Sequence, residues 1–300
     1  METFVSKEAL EQALAAAGYV SDPATVVAAW LALRLGRPLM VEGPAGVGKT
    51  ELASSLARCL GRPLVRLQCY EGLDESKALY EWDYAKQILT VQVERSASFS
   101  ADAARAESAP RGSSVDSFFD RRFLIARPLL QALESDVPVV LLVDEVDRAD
   151  PEFEALLLEI LGEMQITIPE IGTVRARHTP LVILTTNATR EMTEALRRRC
   201  LHAFLDYPSP ARELEILAAR VPGIDRSLAD QLVAFIDRVR KLDLRKAPSI
   251  GETLDWARAL AVLGARVLGA DVARETLGVI LKHREDRERV EAELPTLLGR

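Results

Sequence analysis

A run of small residues ending in a lysine and a threonine occupies positions 43–50, where the chain reads Gly-Pro-Ala-Gly-Val-Gly-Lys-Thr. Glycine lets the backbone curl so that consecutive N–H groups point at a bound phosphate. The ammonium of Lys49 can reach the outer phosphates, and the hydroxyl of Thr50 can hold Mg²⁺. A glycine-rich turn between a strand and a helix is the simpler alternative, but the lysine and threonine favour a phosphate site. The sequence therefore predicts that the chain binds a nucleoside triphosphate.

Two predicted elements flank this phosphate loop. The apolar residues 38–41 are short enough to form a buried strand, and residues 51–58 read as a helix. The amino terminus of that helix adds partial positive charge to the phosphate site. A strand, a loop and a helix in this order are the context that such a motif needs. The predicted nucleotide-binding residues are Gly43, Pro44, Ala45, Gly46, Val47, Gly48, Lys49, Thr50 and Glu51.

Two acids follow a second predicted strand. Residues 137–143 are continuously apolar and lead to Asp144 and Glu145, as expected for a strand buried on both faces of a parallel sheet. Open α/β sheets bind ligands at the carboxyl ends of their strands. Asp144 would position Mg²⁺, and Glu145 would accept a proton from the water that attacks the terminal phosphate. The alternative is a strand end followed by a helix cap, which fits Asp150 better than it fits these two acids.

One asparagine completes the candidate catalytic group, because Asn187 is the only asparagine in the chain. It follows the apolar run 181–186, a third predicted buried strand. A helix over 151–164 and a hairpin made of 165–168 and 173–176 precede that strand. The side-chain amide could position the attacking water, whereas a residue that only opens a turn is the alternative.

Three consecutive arginines, at positions 197–199, end a short predicted helix. They could form a solvated face, a small nucleic-acid patch, or a cation delivered to the nucleotide of a neighbouring subunit. No aromatic residue is interleaved with them, which counts against nucleic acid. A cation delivered to the nucleotide of a neighbouring subunit is the more economical interpretation, because it neutralises charge on the transferred phosphoryl group.

Composition and charge narrow the class of protein. The chain has 300 residues, a net charge of −7 and a pI near 5.3, which counts against a surface that grips nucleic acid. Its three cysteines and three histidines show no metal-binding spacing. No apolar run approaches the length of a membrane span, and residues 1–8 do not resemble a signal peptide. We expect a soluble cytoplasmic protein with no membrane partner.

In this order the motifs resemble those of an AAA+ ATPase, and more narrowly those of the MoxR family. The shared features are the phosphate loop, the acids Asp144 and Glu145, the hairpin before Asn187, and the tract 195–200. The resemblance implies an α/β fold with the three-layer α/β/α parallel sheet of P-loop NTPases. It also implies a small all-α lid domain after that sheet.

The resemblance further implies cofactors and residue roles. ATP and Mg²⁺ are the expected cofactors, with Thr50 and Asp144 at the metal. Either Arg198 or Arg199 matches the arginine finger of the family. Arg199 is preferred because it directly precedes Cys200, a position that is usually phenylalanine in the family.

Four further stretches are similar to a subgroup of this family that is accessory to carbon-monoxide dehydrogenase and related molybdenum enzymes. These stretches are 67–74, 79–84, 127–130 and 248–256. The subgroup resemblance implies a metalloenzyme client.

The C-terminal part departs from the family pattern at one point. Four helices are predicted there, with amphipathic stretches at 251–268 and 271–290. The family's second sensor is an arginine early in a lid helix, but no arginine occurs at 247–252. Arg245 and Lys246 lie close by in sequence, and neither can be assigned that role.

The predicted domains are an α/β nucleotide-binding domain over 1–208 and a helical lid over 209–300. A mobile insert is predicted at about 85–122, because the stretch 96–117 is rich in serine and alanine and has no sustained period. Three aromatic residues precede the insert at every second position, namely Tyr80, Trp82 and Tyr84. They fit either a packing face or a surface that contacts a substrate or partner.

Three classes of function remain open. The family resemblance implies an ATP-driven remodelling chaperone that acts as a ring, most simply a hexamer, on a protein client. It also suggests a partner with a von Willebrand A-type domain. The alternatives are a GTP- or ATP-dependent motor linked to nucleic acid, as in the McrB-like branch, and a nucleotide switch that does not hydrolyse. The net negative charge of the chain counts against the nucleic-acid motor. The candidate hydrolysis residues Glu145, Asn187 and Arg199 count against the switch, because a protein that does not hydrolyse the nucleotide has no need of them.

Overall fold

The computed structural model describes residues 4–100 and 119–299. Its strands are β1 (Leu39–Glu42), β2 (Leu64–Gln68), β3 (Tyr80–Trp82), β4 (Leu124–Ala126), β5 (Val140–Asp144), β6 (Gln165–Ile168), β7 (Gly172–Arg175), β8 (Leu181–Thr186) and β9 (Leu201–Phe204). Five of them form one sheet in the order β2-β5-β8-β1-β9, and every neighbouring pair is parallel. The pairs β3-β4 and β6-β7 are antiparallel and separate from this sheet.

Helices make up most of the rest of the described chain. They are α1 (Lys7–Ala16), α2 (Pro23–Leu35), α3 (Lys49–Leu60), α4 (Glu75–Ala78), α5 (Tyr84–Ser100), α6 (Pro128–Glu134), α7 (Pro151–Glu163), α8 (Glu194–Arg199), α9 (Pro210–Arg220), α10 (Arg226–Val239), α11 (Ile250–Val262), α12 (Ala270–Ile280), α13 (Arg284–Ala292) and α14 (Leu294–Leu297). None of the helices in the described ranges is long and apolar enough to cross a membrane.

The five-stranded sheet is covered on both faces. Leu141 packs into one core with residues of α6 and α7, whereas its neighbours Val140 and Leu142 pack into another core with residues of α1, α2 and α3. Because both faces are covered, β5 and β8 are buried along their whole length. The predicted three-layer α/β fold with a parallel sheet is confirmed.

The predicted hairpin before Asn187 is also present. It consists of β6 and β7, which pair so that Ile168 faces Gly172 and Gln165 faces Arg175. The hairpin leads into β8, and therefore into the strand that ends at the candidate site.

The C-terminal portion is helical, as predicted, and α9 to α14 share a third core that includes Trp256 and Phe235. The number of helices and two of their bounds were wrong. The predicted helix 251–268 ends at Val262, and the predicted helix 271–290 is broken between α12 and α13. The break is stabilised by Asp286 near the start of α13, whose carboxylate accepts hydrogen bonds from the backbone amides of residues 245 and 246. The domain boundary near 208 stays a prediction.

The region of the predicted insert begins as a regular helix. Residues 84–100 form α5, so the first part of the predicted insert is helical, and its mobility stays a prediction. The stretch contains neither glycine nor proline, and its alanine, glutamine and leucine residues favour a helix. Residues 101–118 lie outside the described residues. On either side of α5 and this gap, β3 and β4 pair with each other.

Candidate functional site

The sheet order brings the three predicted motifs to one edge. Strands β5, β8 and β1 lie side by side and run parallel, so their carboxyl ends meet. The phosphate loop leaves β1, Asp144 ends β5, and Asn187 directly follows β8. Residues that are far apart in sequence therefore converge on one cavity.

The phosphate loop is packed too closely for side chains at two of its glycines. Gly46 has a φ of 77° in the left-handed region, and a Cβ atom there would lie 2.5 Å from the side chain of Ser249. A Cβ atom at Gly43 would lie 1.9 Å from the carbonyl oxygen of Leu205. The loop ends where α3 begins, at Lys49, so the positive end of that helix dipole lies at the loop.

The side chain of Lys49 is folded onto the loop and is buried. Its Nζ atom donates to the carbonyl oxygens of Gly43 and Pro44 at 2.6 and 2.7 Å and to Oδ1 of Asn187 at 2.7 Å. Burial lowers the pKa of Lys49, and nearby carboxylates oppose that shift. These carboxylates are Asp147, Asp144 and Glu145.

The two predicted metal ligands lie in contact. The hydroxyl of Thr50 donates to the carboxylate oxygens of Asp144 at 3.0 and 3.1 Å, and Thr185 donates to the same carboxylate at 2.5 Å. Hydroxyl and carboxylate oxygens, completed by phosphate oxygens and water, are the ligands that Mg²⁺ prefers. This donor set therefore fits Mg²⁺. In the described chain, this site included, no group of three or more His, Cys, Asp or Glu side chains is arranged to hold a metal.

The carboxylate of Glu145 is held by three side chains. Its Oε2 atom accepts hydrogen bonds from Gln68 at 3.1 Å and from Arg148 at 3.0 Å, and its Oε1 atom accepts one from Nδ2 of Asn187 at 3.4 Å. The backbone of Glu145 has a φ of 55°, which is uncommon for a residue other than glycine. The structure thus brings the predicted base and the predicted amide together, and it adds Gln68 and Arg148.

Asp147 organises the loop that carries Asn187. Its Oδ2 atom accepts hydrogen bonds from the backbone amides of Asn187 and Thr189 at 3.2 and 3.0 Å and from the Thr189 hydroxyl at 2.6 Å. Burial opposes ionisation of Asp147, but these hydrogen bonds outweigh it and hold its pKa below the usual value. Ala188, between the two partners, has a φ of 57°, so the carboxylate stabilises a backbone turn that is otherwise disfavoured.

The predicted fingers Arg198 and Arg199 lie away from this chain's own site. They end α8, just before β9 begins, and so lie at the amino ends of the parallel strands, whereas the phosphate loop lies at their carboxyl ends. Arg37 donates to the backbone carbonyl oxygens of both residues, at 2.6 Å to Arg198 and 3.4 Å to Arg199. Both side chains are exposed, and neither lines the cavity described next.

A cavity of about 400 Å³ joins the phosphate loop to the C-terminal helices. Two arginines of α9 line it, and neither was predicted from the sequence. Arg220 donates to Glu51 at 2.9 Å, and Arg212 donates to the carbonyl oxygen of Val20 at 3.1 Å. Burial opposes ionisation of Glu51, but hydrogen bonds from Arg58 and Arg220 outweigh it and lower its pKa.

The two cations near the start of α11 do not line this cavity. Lys246 pairs with Glu252 at 2.9 Å, and the backbone amide of Arg245 donates to Asp286 at 2.8 Å. Ile250 and Gly251, at the amino terminus of α11, line the cavity instead. The cavity therefore has no arginine from residues 247–252, and its two arginines, Arg212 and Arg220, come from α9.

Residues 38–200 match the AAA domain family, dynein-related subfamily. The chain is 34% identical over 178 residues to "Chaperone protein ClpB 2" of Parasynechococcus marenigrum, covering 57% of this chain and 16% of that protein. It is 26% identical over 220 residues to the gas vesicle ATPase GvpN of Haloferax mediterranei, covering 70% and 58% of the two chains. Protein NorQ of Paracoccus denitrificans is 27% identical over 212 residues, covering 68% of this chain and 65% of NorQ. The chain therefore spans less than two thirds of the length of each of these relatives.

Solved structures with a similar fold include a mutant of RuvB from Thermotoga maritima. It is 18% identical, has a TM-score of 0.49, and the match covers 92% of this chain and 71% of that chain. A similarity at this level says nothing about activity.

Proposed function

We propose, on the premise that this chain belongs to the AAA domain family of the dynein-related subfamily, that it binds and hydrolyses Mg-ATP to remodel a partner protein. The observation that carries the proposal is the convergence of the phosphate loop, the two acids after β5 and the asparagine after β8 on one cavity. A lysine for phosphate, oxygen ligands for a metal and a carboxylate for water are the parts that phosphoryl transfer to water requires.

The resemblance to AAA+ ATPases of the MoxR type is confirmed by the family match together with the similarity to GvpN and NorQ. The narrower likeness to the accessory ATPases of carbon-monoxide dehydrogenase is a proposal, and it rests on the four sequence stretches described above. The same holds for the metalloenzyme client and for a partner with a von Willebrand A-type domain. The proposed hydrolysis of ATP and the remodelling of a partner protein are supported by relatives whose names describe an ATPase and a chaperone.

We assign each residue one task in hydrolysis. Lys49 binds the outer phosphates, and Thr50 and Asp144 hold the metal, which when bound neutralises charge on the transferred phosphoryl group. Glu145 accepts the proton of the attacking water. The amide of Asn187 orients that water, because its two polar atoms already reach Lys49 and Glu145.

We further propose that the active form is a ring, most simply a hexamer, in which Arg199 or Arg198 acts on the site of the adjacent subunit. The support is their position, since both side chains are exposed and neither lines the cavity of their own chain. A cation at the transferring phosphoryl group would then come from a neighbour. An assembled ring would thus be needed for full turnover.

The helices from α9 onward are proposed to form a lid that begins near residue 208. The support is their separate core and the contacts of α9 with both sides of the cavity. Arg220 contacts Glu51 of α3, and Arg212 contacts the carbonyl oxygen of Val20. A change in the nucleotide would thereby reach the lid through α9.

A hydrolysis assay tests the proposed function. Phosphate release is measured with ATP and with GTP, each with and without DNA, in the presence and absence of Mg²⁺. The proposal predicts Mg²⁺-dependent hydrolysis of ATP that does not require DNA. Turnover that needs GTP or DNA would favour the motor, and binding of ATP without release of phosphate would favour the switch.

A further inference from the structure

Arg66 contacts the acid that is assigned to the metal. It lies on β2, at the edge of the sheet next to β5, where Gln68 is in register with Asp144. The Nη2 atom of Arg66 lies 2.6 Å from Oδ2 of Asp144. The arginine side chain is 51% exposed and the aspartate side chain 4%, so a half-exposed cation contacts a buried anion.

The contacts to Asp144 leave little capacity for another ligand. An ionised carboxylate offers about four lone-pair positions. Thr50 contacts both oxygens, Thr185 contacts Oδ1, and Arg66 contacts Oδ2. The two threonines are neutral, so Arg66 is the charged partner among these three. A divalent cation that binds this carboxylate must therefore compete with the guanidinium group, because the two share an oxygen and repel each other.

The same nitrogen of Arg66 also leads to the candidate base. Nη2 donates to Oε1 of Gln68 at 2.6 Å, and Nε2 of Gln68 donates to Oε2 of Glu145 at 3.1 Å. Arg66 and Gln68 are two residues apart on β2, so their side chains lie on the same side of the strand. One polar chain thus runs from the metal-binding acid through Arg66 and Gln68 to the base.

We propose that Arg66 is a positioning residue that competes with the divalent cation for Asp144 and so couples loading of the metal to release of Glu145 from Gln68. This inference rests on the proposed function. When the metal takes Asp144, Arg66 moves away and withdraws the donor that orients the amide of Gln68. Glu145 then loses Gln68, one of the two donors to its Oε2 atom, and keeps its contacts with Arg148 and Asn187. Loading of the metal thereby removes one of the three contacts that hold the base.

The test measures metal affinity rather than turnover. A fluorescent ADP analogue is bound to the protein in EDTA, and Mg²⁺ is titrated while the fluorescence of the bound nucleotide is followed. Arg66→Met keeps the length of the stem and removes the charge. The matched control is Arg175→Met, because Arg175 is also exposed on a strand and donates to a glutamine, Gln165, at 2.9 Å. We expect the Mg²⁺ midpoint to fall about tenfold in Arg66→Met, within the range of coupling between two sites, and to stay unchanged in the control.

A double-mutant cycle tests the link between Arg66 and Gln68, through which Arg66 reaches the base. Gln68→Ala should lower the Mg²⁺ midpoint by a smaller factor than Arg66→Met, since it only loosens Arg66, and should add nothing in the Arg66→Met background. Independent effects of the two substitutions would overturn the coupling. An unchanged or raised midpoint in folded Arg66→Met protein would overturn the competition. If the wild-type protein gave no Mg²⁺-dependent signal with the bound nucleotide, the proposed function itself would fail instead.

Discussion

The Nζ atom of Lys49 lies 2.7 Å from Oδ1 of Asn187, and Nδ2 of the same asparagine lies 3.4 Å from Oε1 of Glu145. One side-chain amide therefore bridges the cation of the phosphate loop and the candidate base. An amide suits this place because it offers an acceptor to the ammonium and a donor to the carboxylate at once.

This bridge predicts that Asn187→Ala lowers kcat while KM for ATP changes little. The expected loss in kcat is about 10²-fold, at the lower end of what a positioned group contributes to proton transfer. Asn187→Asp should be at least as slow, because its carboxylate cannot donate to Glu145 and repels it. Steady-state kinetics over a range of ATP concentrations checks both variants. A raised KM with an unchanged kcat would mean that Asn187 binds nucleotide and does not orient water.

The loop around Asn187 should depend on Asp147. We expect Asp147→Ala to lower the free energy of unfolding at pH 7 by about 2 kcal/mol, because three donors lose a charged acceptor. The pKa of Asp147 is lowered in the folded chain. Its stabilising effect is therefore complete above the unfolded pKa of about 3.9 and is lost as the pH falls through the lower, folded value.

Urea unfolding of the wild type and of Asp147→Ala at pH 7 and at pH 3 measures this effect. The difference in unfolding free energy between the two proteins should shrink at the lower pH. A difference that stayed constant would show that the charge of Asp147 does not contribute. Asp147→Asn, which retains an oxygen acceptor, should lie between the two proteins at pH 7.

The arginines at the end of α8 should act between subunits. Arg199→Ala should lower turnover by about 10³-fold with little change in nucleotide affinity, and Lys49→Ala should abolish binding. A mixture of the two variants should recover part of the activity, because an intact Lys49 site can then meet Arg199 of a neighbour. Phosphate release from mixed rings, with ring formation followed by light scattering in ATP, measures this.

A matched mixture controls the rescue experiment. Lys49→Ala mixed with Glu145→Gln should stay inactive, since both changes disable the site of their own subunit. Rescue in this control would mean that the assay reports exchange or contamination. No rescue of Arg199→Ala in verified mixed rings, or a protein that stays monomeric with ATP, would contradict action between subunits.

The cysteines should be unreactive in the folded chain. Burial raises the pKa of Cys69 and of Cys200 to about 12, and the thiolate is the reactive form. Burial also raises the pKa of Cys59, which is only partly buried. At pH 8 a thiol reagent should therefore modify Cys59 slowly and the other two only after denaturation. Rapid modification of all three cysteines in the native protein would show that these cores open readily.

The sequence predicted the parts of the site that sit at strand ends. The phosphate loop, the acids Asp144 and Glu145, and Asn187 each follow a short apolar run, and in a parallel sheet such ends share one edge. A local pattern was therefore enough to place them together. The three-layer sheet was implied by the family resemblance, and the hairpin before β8 followed from two short alternating runs around a four-residue turn.

The remaining site residues could not be predicted because their partners are distant in sequence. Gln68 and Arg66 reach the acids only because β2 lies beside β5, and β2 was not assigned from its sequence. Arg220 reaches the cavity from α9, where it contacts Glu51 of α3. Residues of these types are common on surfaces, so their spacing carries no signal. The break before α13 depends in the same way on a distant contact, that of Asp286 with the backbone of residues 245 and 246.

The direct test of the central claim is the release of phosphate from Mg-ATP by Glu145→Gln. The glutamine keeps the shape of the side chain and one accepting oxygen but cannot accept the proton of water. Glu163→Gln is the matched control, because Glu163 is an exposed acid that also accepts a hydrogen bond from a glutamine, Gln165, at 2.8 Å. We predict that Glu145→Gln binds ATP as the wild type does and releases phosphate at least about 10²-fold more slowly, while Glu163→Gln matches the wild type in both. Hydrolysis by Glu145→Gln at the wild-type rate would contradict the assignment of Glu145 as the base and the account built on it.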